Sequence, residues 1–509
     1  MEPLSAIFRP GASVYFTGIK GTGVCALAEL MLNAGMRVSG SDTAEVFYTD
    51  SILQALNIPY HETFDAAHIG NDIDIVIHSA AYSAQNNCEL AEAMWQSIPV
   101  IKYPDALGAW SAAFDSAGIA GVHGKTTTTA IAGVLMRAAG LPAQILAGSA
   151  VADFNGRSTL TLGMKYFAAE TCEYRKHFLA FHPRHIILTA VESDHQDFFP
   201  SYESIRDAFL EYCRLLPVGG ELIYCADDPG ACETAAAIQK EKRGITLVPY
   251  GFTASGGYRI NSYRVENERA IFNIAAFPDD FCIRLPGRHE AQNTAAALAL
   301  VSLLVKKEFG ADGPGESGGW NNQRRQAVQQ ALEDFHGAKR RSEIIGEAGG
   351  IIFIDDYGHH PTAIQKTLEG LQAFYPHRRL VVSFMSHTYT RTAALLEEFA
   401  RSLAAAAVIF LHKIYASARE QYDGTVNGKT LYEKVKNCAR FAASTEYRAI
   451  PENVYYVEEP LDAFEAVKEV LADGDLFITL GAGNNWPLGV KLFEYYKNSG
   501  GNKPSGSGQ

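Results

Sequence analysis

A glycine-containing loop that ends in Lys-Thr constrains this chain more than any other part of its sequence. The loop, residues 121–127, follows a short apolar run at 118–120 and leads into a helical pattern that extends to Ala139 and is closed by Gly140. This order of strand, loop and helix gathers backbone N–H groups and the positive end of a helix dipole around one point, which favours a bound anion. It predicts a parallel α/β unit that binds nucleotide phosphates, with ATP as the first ligand to consider.

The residue types in this loop suit phosphate binding. Gly121 and Gly124 leave room for phosphate oxygens because they carry no Cβ. Lys125 can reach the β and γ phosphates, and the hydroxyl of Thr126 can ligate Mg²⁺. The spacing departs from the common G-x-x-x-x-G-K-[ST] pattern, because the residue six before Lys125 is Ile119 and not glycine. A solvated helix cap therefore stays open as the alternative to an ATP site.

Composition and charge restrict the class of protein. The chain has 57 acidic and 44 basic residues and a net charge of −13, which argues against a general surface for nucleic acid or anionic membranes. Neither a signal peptide nor an apolar stretch long enough to span a bilayer is evident, so we expect a cytoplasmic protein. The eight cysteines form no C-x-x-C pair, so neither a cysteine zinc site nor a disulfide framework is expected.

Short apolar strands alternate with helical patterns along almost the whole chain, which predicts an α/β fold. The length of 509 residues agrees with about three domains. The predicted domains are a parallel α/β domain at 1–117, a central domain with a parallel sheet and a small antiparallel addition at 118–336, and a third α/β domain at 337–497. The glycine-rich stretch 310–319 is predicted to be a flexible insertion, and residues 498–509 a disordered tail.

A second glycine turn follows the first predicted strand. Asp42 ends the next strand, and the turn contains Gly18, Lys20, Gly21, Thr22 and Gly23, an arrangement typical of a dinucleotide-binding fingerprint. Lys20 stands where a third glycine often allows the closest phosphate approach, and its charge could instead lie beside a diphosphate. Alone, this turn would favour an NAD-dependent oxidoreductase. Together with the separate ATP loop, it fits a reaction that joins a nucleotide-linked substrate to another molecule at the expense of ATP.

These two turns and the motifs that follow them resemble the Mur ligases over nearly the whole chain. The N-terminal motif is the glycine turn with Ser39-Gly40-Ser41-Asp42. The central motifs are the ATP loop, Glu170-Thr171-Cys172-Glu173, Glu192-Ser193-Asp194-His195, and Pro286-Gly287-Arg288-His289 with Asn293. The C-terminal motifs are Lys339-Arg340-Arg341, Asp355-Asp356-Tyr357-Gly358-His359-His360-Pro361, residues 387–392 and Gly481-Ala482-Gly483. This ordered series is highly specific for the family.

The resemblance implies a Rossmann-like N-terminal domain for a UDP-sugar, a central P-loop ATPase domain, and a Rossmann-like C-terminal domain that closes over ATP. The implied reaction joins the lactyl carboxylate of UDP-N-acetylmuramate to L-alanine through an acyl phosphate, with ADP and phosphate as the other products. This ligase reaction belongs to cytoplasmic peptidoglycan synthesis. The implied cofactors are ATP and Mg²⁺, with Mn²⁺ as a substitute, because an imidazole is an unusual ligand for Mg²⁺.

The resemblance also implies roles for individual residues. The catalytic set is Lys125, Glu173, His195, His360 and Arg391. The metal ligands are Thr126, Glu173 and His195. The nucleotide-binding set is Gly121, His123, Gly124, Lys125, Thr126, Thr127, His289, Asn293, Arg340 and Asp356. The UDP-sugar set is Gly18, Lys20, Gly21, Thr22, Gly23, Ser41 and Asp42.

Several features leave alternatives open. Thr388 stands where many family members carry an arginine that could bind an amino-acid carboxylate with two hydrogen bonds, although Arg391 remains. Within the family, the second candidate is a murein-recycling ligase that adds a preformed tripeptide to UDP-N-acetylmuramate, but residues 172–178 look more like L-alanine-adding enzymes. Outside the family, an NAD-dependent oxidoreductase would leave Lys125, Glu173 and His195 without roles.

Overall fold

Three sheets, one in each of three consecutive parts of the chain, form the framework of the protein. The computed structural model describes residues 7–241, 244–310, 318–416, 420, 424–441 and 450–499. Residues 311–317 of the predicted insertion and 500–509 of the predicted tail lie outside the described residues. Each sheet is parallel over most of its strands and is packed against helices. The predicted three-domain α/β architecture is confirmed.

The N-terminal domain is built on a five-stranded parallel sheet of order β3-β2-β1-β4-β5. Its strands are β1 (Ser13–Thr17), β2 (Arg37–Ser41), β3 (Tyr60–His61), β4 (Ile75–His78) and β5 (Val100–Lys102). Its helices are α1 (Thr22–Asn33), α2 (Thr49–Ala55), α3 (Cys88–Trp95) and α4 (Tyr103–Ser111). The strand order reverses at the buried β1, so the glycine turn after this strand lies where such sheets usually bind ligands.

The central domain contains a ten-stranded sheet of order β15-β14-β13-β12-β11-β10-β6-β9-β7-β8. Its strands are β6 (Asp115–Ala120), β7 (Ala143–Val151), β8 (Arg157–Thr161), β9 (Tyr166–Glu170), β10 (His185–Leu188), β11 (Glu221–Cys225), β12 (Thr246–Gly251), β13 (Tyr258–Val265), β14 (Ala270–Ile274) and β15 (Asp280–Ile283). Its helices are α5 (Lys125–Ala139), α6 (Tyr202–Cys213), α7 (Pro229–Lys240), α8 (Arg288–Phe309) and α9 (Asn322–Glu333). The predicted antiparallel addition is β13 to β15.

Helix α5 begins directly after the phosphate loop and is buried along most of its length. Its small and apolar residues allow close packing against α8 and β7. Gly140 ends the helix with a φ of 74°, the left-handed conformation that glycine adopts readily at a helix C-terminus. The rigid strand–loop–helix unit therefore fixes the position of the loop.

The C-terminal domain contains a six-stranded sheet of order β16-β17-β21-β18-β19-β20, in which β16 is antiparallel to β17 and the other pairs are parallel. Its strands are β16 (Glu343–Ala348), β17 (Ile351–Asp356), β18 (Arg379–Phe384), β19 (Val408–Leu411), β20 (Val454–Tyr456) and β21 (Asp475–Leu480). Its helices are α10 (Pro361–Phe374), α11 (Tyr389–Ala394), α12 (Leu396–Leu403), α13 (Gly428–Phe441), α14 (Phe464–Val470) and α15 (Trp486–Ser499).

Two predicted boundaries fall inside continuous elements. Strand β6 runs through the boundary predicted between 117 and 118 and belongs wholly to the central sheet. Helix α15 extends to Ser499, so the first two residues of the predicted disordered tail are helical. None of the described helices combines the length and the apolar character that crossing a membrane requires.

Candidate active site

A cavity of about 340 Å³ lies between the central and C-terminal domains. Its walls are the phosphate loop, the residues that follow β9, β10, β17 and β18, and part of α10. Because the carboxyl ends of parallel strands share one edge of a sheet, each domain presents its loops to this space. The cavity is lined by most of the predicted catalytic and nucleotide-binding residues, namely His123, Gly124, Lys125, Thr126, Thr127, Glu173, His195, His289, Asn293, Asp356, His360 and Arg391.

The phosphate loop has a backbone conformation that glycine adopts more readily than other residues. Gly121 and Gly124 have φ values of 133° and 78°. A Cβ atom on Gly121 would lie 2.8 Å from the backbone nitrogen of Ala190, and one on Gly124 would lie 2.7 Å from Asn293 Oδ1. Gly121 packs the loop against the residues after β10, while Gly124 lines the cavity and begins α5. Both glycines are therefore required by conformation and by close packing.

Lys125 and Glu173 form a buried ion pair in the cavity wall. Lys125 Nζ lies 2.9 Å from Glu173 Oε2 and donates a hydrogen bond of 2.5 Å to the carbonyl oxygen of Gly121. Burial alone would lower the pKa of the Lys125 ammonium, but the carboxylates of Glu173 and Glu170 raise it. Burial alone would raise the pKa of Glu173, but Lys125 and His195 lower it. Both side chains are therefore charged at neutral pH.

The side chains beside Lys125 fit a divalent cation. Thr126 Oγ1 donates to Glu170 Oε2 at 2.7 Å, and His195 Nε2 lies 3.4 Å from Glu173 Oε1. Two carboxylates and a hydroxyl match the oxygen ligands of Mg²⁺, and the His195 nitrogen is a donor that Mn²⁺ accepts more readily. The donor chemistry therefore fits a divalent metal, and Glu170 lies beside the predicted ligand Thr126.

Asp194 and Arg391 link the two domains across the cavity. Arg391 Nη2 and Nε lie 2.7 and 2.8 Å from Asp194 Oδ1, and both side chains are buried. Burial alone would raise the pKa of Asp194, but the Arg391 guanidinium holds it well below its usual range. Nη1 of the same guanidinium lies 3.5 Å from His387 Nδ1. The predicted catalytic residue Arg391 is thus anchored beside His195 by a charged contact between domains.

Two histidines from different domains also meet here. The rings of His123 and His360 lie 4.9 Å apart between centroids. Glu192 Oε2 lies 3.9 Å from His123 Nε2 and 3.9 Å from His360 Nδ1. Burial lowers the pKa of both imidazoles, so both are neutral at pH 7. The phosphate loop and the C-terminal domain therefore also meet through this ring contact.

The predicted adenine contacts lie at the start of α8. Asn293 Oδ1 accepts from Thr128 Oγ1 at 3.2 Å, and Asn293 Nδ2 donates to Glu290 Oε2 at 3.0 Å. His289 Nε2 lies 3.3 Å from Glu290 Oε1. These contacts hold Asn293 against the phosphate loop, and an adenine contact by its amide stays a prediction.

The side chains of the neighbouring residues Arg340 and Arg341 point in different directions. Arg340 donates to Asp355 Oδ2 and to the carbonyl oxygen of Gly481, both at 2.8 Å, and it does not line the cavity. Arg341 lines the cavity instead. Asp356 also lines it, but its Oδ1 accepts from the backbone of Gly358 at 2.7 Å, so its carboxylate shapes the cavity wall.

The predicted UDP-sugar residues form a separate group on the N-terminal domain. Asp42 Oδ2 accepts from the backbone nitrogen of Lys20 at 2.7 Å, which holds the turn against the end of β2. The Lys20 ammonium lies 3.0 Å from Asp50 and 3.1 Å from Glu62, so two carboxylates surround it here, and its contact with a diphosphate stays a prediction. Ser41 is buried, and its hydroxyl donates inward to a carboxylate of α3. The glycines Gly18, Gly21 and Gly23, with Thr22, lie on this turn.

Several residues with charged side chains line the cavity or contact its residues although the sequence did not single them out, among them Glu170, Glu192, Asp194 and Lys366. Glu170, Glu192 and Asp194 stand in motifs where a neighbouring residue was selected instead. Their position after buried strands was the signal that could have identified them. Lys366 lines the cavity from α10, and a lysine in a helical pattern carries no such signal.

Comparison with known proteins identifies the family. The Mur ligase family catalytic domain matches residues 13–115, the Mur ligase middle domain matches 119–301, and the Mur ligase glutamate ligase domain matches 340–483. The UDP-N-acetylmuramate–L-alanine ligase of Treponema pallidum (strain Nichols) is 48% identical over 487 residues, which cover 96% of this chain and 97% of that relative. The chain belongs to the Mur ligase family.

Further Mur ligases resemble it along nearly their whole length. The UDP-N-acetylmuramate–L-alanine ligase of Borreliella burgdorferi is 35% identical, with 94% of this chain and 97% of that relative covered. Among solved structures, UDP-N-acetylmuramate-alanine ligase MurC from Thermotoga maritima has a TM-score of 0.71 at 22% identity, with 96% and 99% of the two chains covered. The murein peptide ligase from Psychrobacter arcticus has a TM-score of 0.61 at 22% identity, with the same coverage. These structures share the Mur ligase fold.

Proposed function

We propose that this Mur ligase joins L-alanine to the lactyl carboxylate of UDP-N-acetylmuramate, with cleavage of ATP to ADP and phosphate, in cytoplasmic peptidoglycan synthesis. The observation that carries the proposal is the 48% identity, over 96% of the chain, to a ligase named for these two substrates. The cavity supports it, because a phosphate loop and a buried arginine from another domain face the same space.

A free carboxylate does not acylate an amine, because oxide would have to leave. Transfer of the γ-phosphoryl group of ATP to the lactyl carboxylate forms an acyl phosphate, and attack by the amine then releases phosphate. The first step brings two anions together, so electrostatic stabilisation dominates its catalysis. Cationic groups fixed around the cavity before the reaction are therefore what this chemistry needs.

Lys125 and the backbone N–H groups at the start of α5 would hold the β and γ phosphates. Thr126, Glu173 and His195 would hold the Mg²⁺ ion, which neutralises charge between the phosphate and the carboxylate when it is bound. Glu173 also pairs with Lys125, which keeps the ammonium directed into the loop at 2.9 Å. One carboxylate thus positions both the proposed metal and the proposed phosphate ligand.

Arg391 would bind the carboxylate of the incoming amino acid. Asp194 occupies Nε and Nη2 of its guanidinium, while Nη1 points towards His387. A guanidinium has five N–H donors, so Arg391 can hold Asp194 and a substrate carboxylate together. His360, whose Nε2 lies 3.2 Å from the Ser193 carbonyl oxygen, would keep the C-terminal domain docked and exclude water from the acyl phosphate.

The test is phosphate release from ATP and Mg²⁺ by the purified full-length protein with UDP-N-acetylmuramate. L-Alanine, glycine, L-serine and the tripeptide are added in separate reactions. We expect turnover with L-alanine and a nucleotide product heavier by one alanyl residue. Preference for the tripeptide would move the protein to the recycling reaction, and absence of turnover with every amine would refute the ligase assignment.

Neither alternative is favoured. The two relatives above are named for L-alanine ligation, whereas the murein peptide ligase is only 22% identical. An NAD-dependent oxidoreductase would bind NADH at the N-terminal turn and would not need the phosphate loop. NADH titration beside UDP-N-acetylmuramate titration separates the two, and we expect binding of the UDP-sugar.

A further inference from the structure

Three side chains that the proposed Mg²⁺ site does not use converge where the central and C-terminal domains meet. They are His123 of the phosphate loop, Glu192 after β10, and His360 at the start of α10. One ligand atom from each lies within 4.8 Å of the other two. Glu192 Oε2 is 3.9 Å from His123 Nε2 and 3.9 Å from His360 Nδ1. The three are called the His-Glu-His cluster below.

The hydrogen bonds around the cluster show which of its atoms carry the lone pairs that a metal ion would use. His360 Nε2 donates to the Ser193 carbonyl oxygen at 3.2 Å, because a carbonyl can only accept, so Nδ1 of the neutral ring carries a lone pair. The backbone N–H of Thr362 donates a hydrogen bond to Nδ1 at 3.4 Å, which agrees with an unprotonated nitrogen, and a bound ion would replace this long hydrogen bond. Thr362 Oγ1 donates to Glu192 Oε2 at 2.7 Å. Such outer hydrogen bonds orient histidine and carboxylate ligands around metals.

His123 supplies a second, independent observation. Its Nε2 atom is buried and has no hydrogen-bond partner among the residues that the structure describes. A buried polar atom without a partner costs free energy, so it requires an explanation, and a bound ion is one. This nitrogen lies on the Glu192 and His360 side of the ring, where a bound cation would satisfy it.

We propose that the His-Glu-His cluster binds a divalent ion of the zinc class and bridges the central and C-terminal domains at a site distinct from the proposed Mg²⁺ site. Two imidazole nitrogens and one carboxylate suit Zn²⁺ or Co²⁺ far better than Mg²⁺. Zinc ligands lie about 2.0–2.1 Å from the ion, so the three atoms must draw together by roughly an ångström. Water completes a tetrahedral set.

Bound zinc would act as a clamp between the domains. His123 and Glu192 belong to the central domain and His360 to the C-terminal domain, so one ion ties both sides of the cavity together. Turnover requires substrates to enter and products to leave this cavity. Zinc at the cluster therefore stabilises the docked protein and inhibits the reaction.

The experiment measures metal binding alone, without nucleotide or sugar, on the full-length chain. Co²⁺ absorbance reports tetrahedral coordination, and calorimetry with Zn²⁺ reports affinity in the presence of excess Mg²⁺. We expect one tight site with a tetrahedral cobalt spectrum that Mg²⁺ does not displace. Glu192→Gln and His360→Ala should each weaken it by more than about tenfold, at least the effect usual for outer-shell changes. Zn²⁺ should also raise the melting temperature of the wild type but not of Glu192→Gln.

Two control variants locate the ion. His195→Gln removes the imidazole of the neighbouring proposed Mg²⁺ site, and His377→Ala removes an exposed histidine of the C-terminal domain. Both should keep the tight site. Equal Zn²⁺ affinity in the wild type and Glu192→Gln, absence of a tight site in the wild type, or loss of the site in His195→Gln would each overturn the proposal. Circular dichroism without metal shows which variants are folded, and His123→Ala replaces any that are not.

Discussion

The two glycine turns of this chain have similar positions after a first buried strand, but their lysines have opposite surroundings. The Lys20 side chain is 0% exposed and pairs with both Asp50 and Glu62. Lys125 lines a cavity and pairs with Glu173, which lines the same cavity. A cation enclosed by two carboxylates stabilises the fold, whereas a cation beside a cavity is available to a ligand. A glycine turn with a lysine therefore does not by itself indicate that the lysine binds phosphate.

The glycines of the two turns also differ in the atoms that surround them. A Cβ atom on Gly18 would lie 2.8 Å from the ring of Tyr82, and one on Gly23 would lie 2.8 Å from the ring of Tyr103. A Cβ atom on Gly121 would meet the backbone nitrogen of Ala190 at 2.8 Å. The rings of Tyr82 and Tyr103 can rotate away from an intruding atom, whereas the backbone of Ala190, which follows β10, moves less readily. The N-terminal turn is thus the more adaptable of the two where a tyrosine ring is its neighbour.

The largest effect is expected for Lys125→Met. The variant keeps the aliphatic part of the side chain but removes the charge that would stabilise the transferring phosphoryl group. We expect kcat to fall by about 10²- to 10³-fold, the usual effect of removing one preorganised electrostatic contact. Phosphate release at saturating ATP, UDP-N-acetylmuramate and L-alanine measures it. A variant with nearly unchanged kcat would show that Lys125, like Lys20, is structural.

The matching substitution in the other turn, Lys20→Met, should affect stability more than chemistry. Removal of the ammonium leaves Asp50 partly buried with an unpaired charge, while the half-exposed Glu62 regains water. We expect a loss of about 1–3 kcal/mol in unfolding free energy, typical of a buried group left without its partner. Denaturant titration measures the loss, and kcat of the folded protein should change far less than for Lys125→Met. A fall in kcat as large as that of Lys125→Met would return Lys20 to a phosphate-binding role.

Alanine substitutions compare the backbone of the two turns. Gly121→Ala and Gly18→Ala both place a Cβ on a residue with positive φ, 133° and 84°, so both should destabilise the protein. Gly121→Ala should cost the more, by about 1 kcal/mol, because its Cβ meets Thr189 Oγ1 and two backbone atoms of Ala190, whereas the Cβ on Gly18 meets the ring of Tyr82 and Ser79 Cβ. Parallel melting curves of the two variants give the difference. Equal losses would show that Tyr82 and Ser79 are held as rigidly as the residues that follow β10.

The α/β fold could be predicted from the sequence because buried apolar residues recur at the period of a helix or a strand. Helix α5 ends at the predicted glycine, and the predicted antiparallel addition is formed by β13 to β15. The phosphate loop was also recognised correctly as a strand-to-helix turn, since local chemistry determines it. The antiparallel β8 was missed, because Arg157–Thr161 is short, rich in polar residues and pairs with a strand whose register shifts.

Side-chain direction was the part that the sequence could not predict. Lys20 and Arg340 stand in motifs that suggest phosphate contacts. Lys20 instead pairs with Glu62, and Arg340 pairs with Asp355 on β17. Glu62 is 42 residues away from Lys20, and no local pattern relates the two. The interdomain pairs, such as Asp194 with Arg391, depend on how whole domains dock. Motifs therefore located the candidate site, while the three-dimensional structure decided which side chains face it.

The smallest effect concerns His185, a second basic side chain enclosed by two carboxylates, at the amino end of β10. Its two ring nitrogens lie 3.1 Å from Asp115 and 3.0 Å from Glu221, and Arg184 and Lys307 also approach Asp115. Burial alone would lower the pKa of His185, but the two carboxylates raise it. The charged partners lower the pKa of Asp115 to about 2, so this carboxylate remains ionised across the neutral range.

A raised histidine pKa in the folded state makes stability depend on pH in a defined direction. The stabilisation is fully present below the unfolded pKa of about 6.5 and is lost as pH rises through the folded value. We therefore expect the midpoint of urea unfolding to fall between pH 6 and pH 9 more steeply for the wild type than for His185→Gln, because glutamine has no charge to lose. The difference between the two proteins removes the contribution of every other histidine. If both proteins show the same slope, His185 is neutral in the folded state, and the rule that paired carboxylates mark a structural cation in this molecule would rest on Lys20 alone.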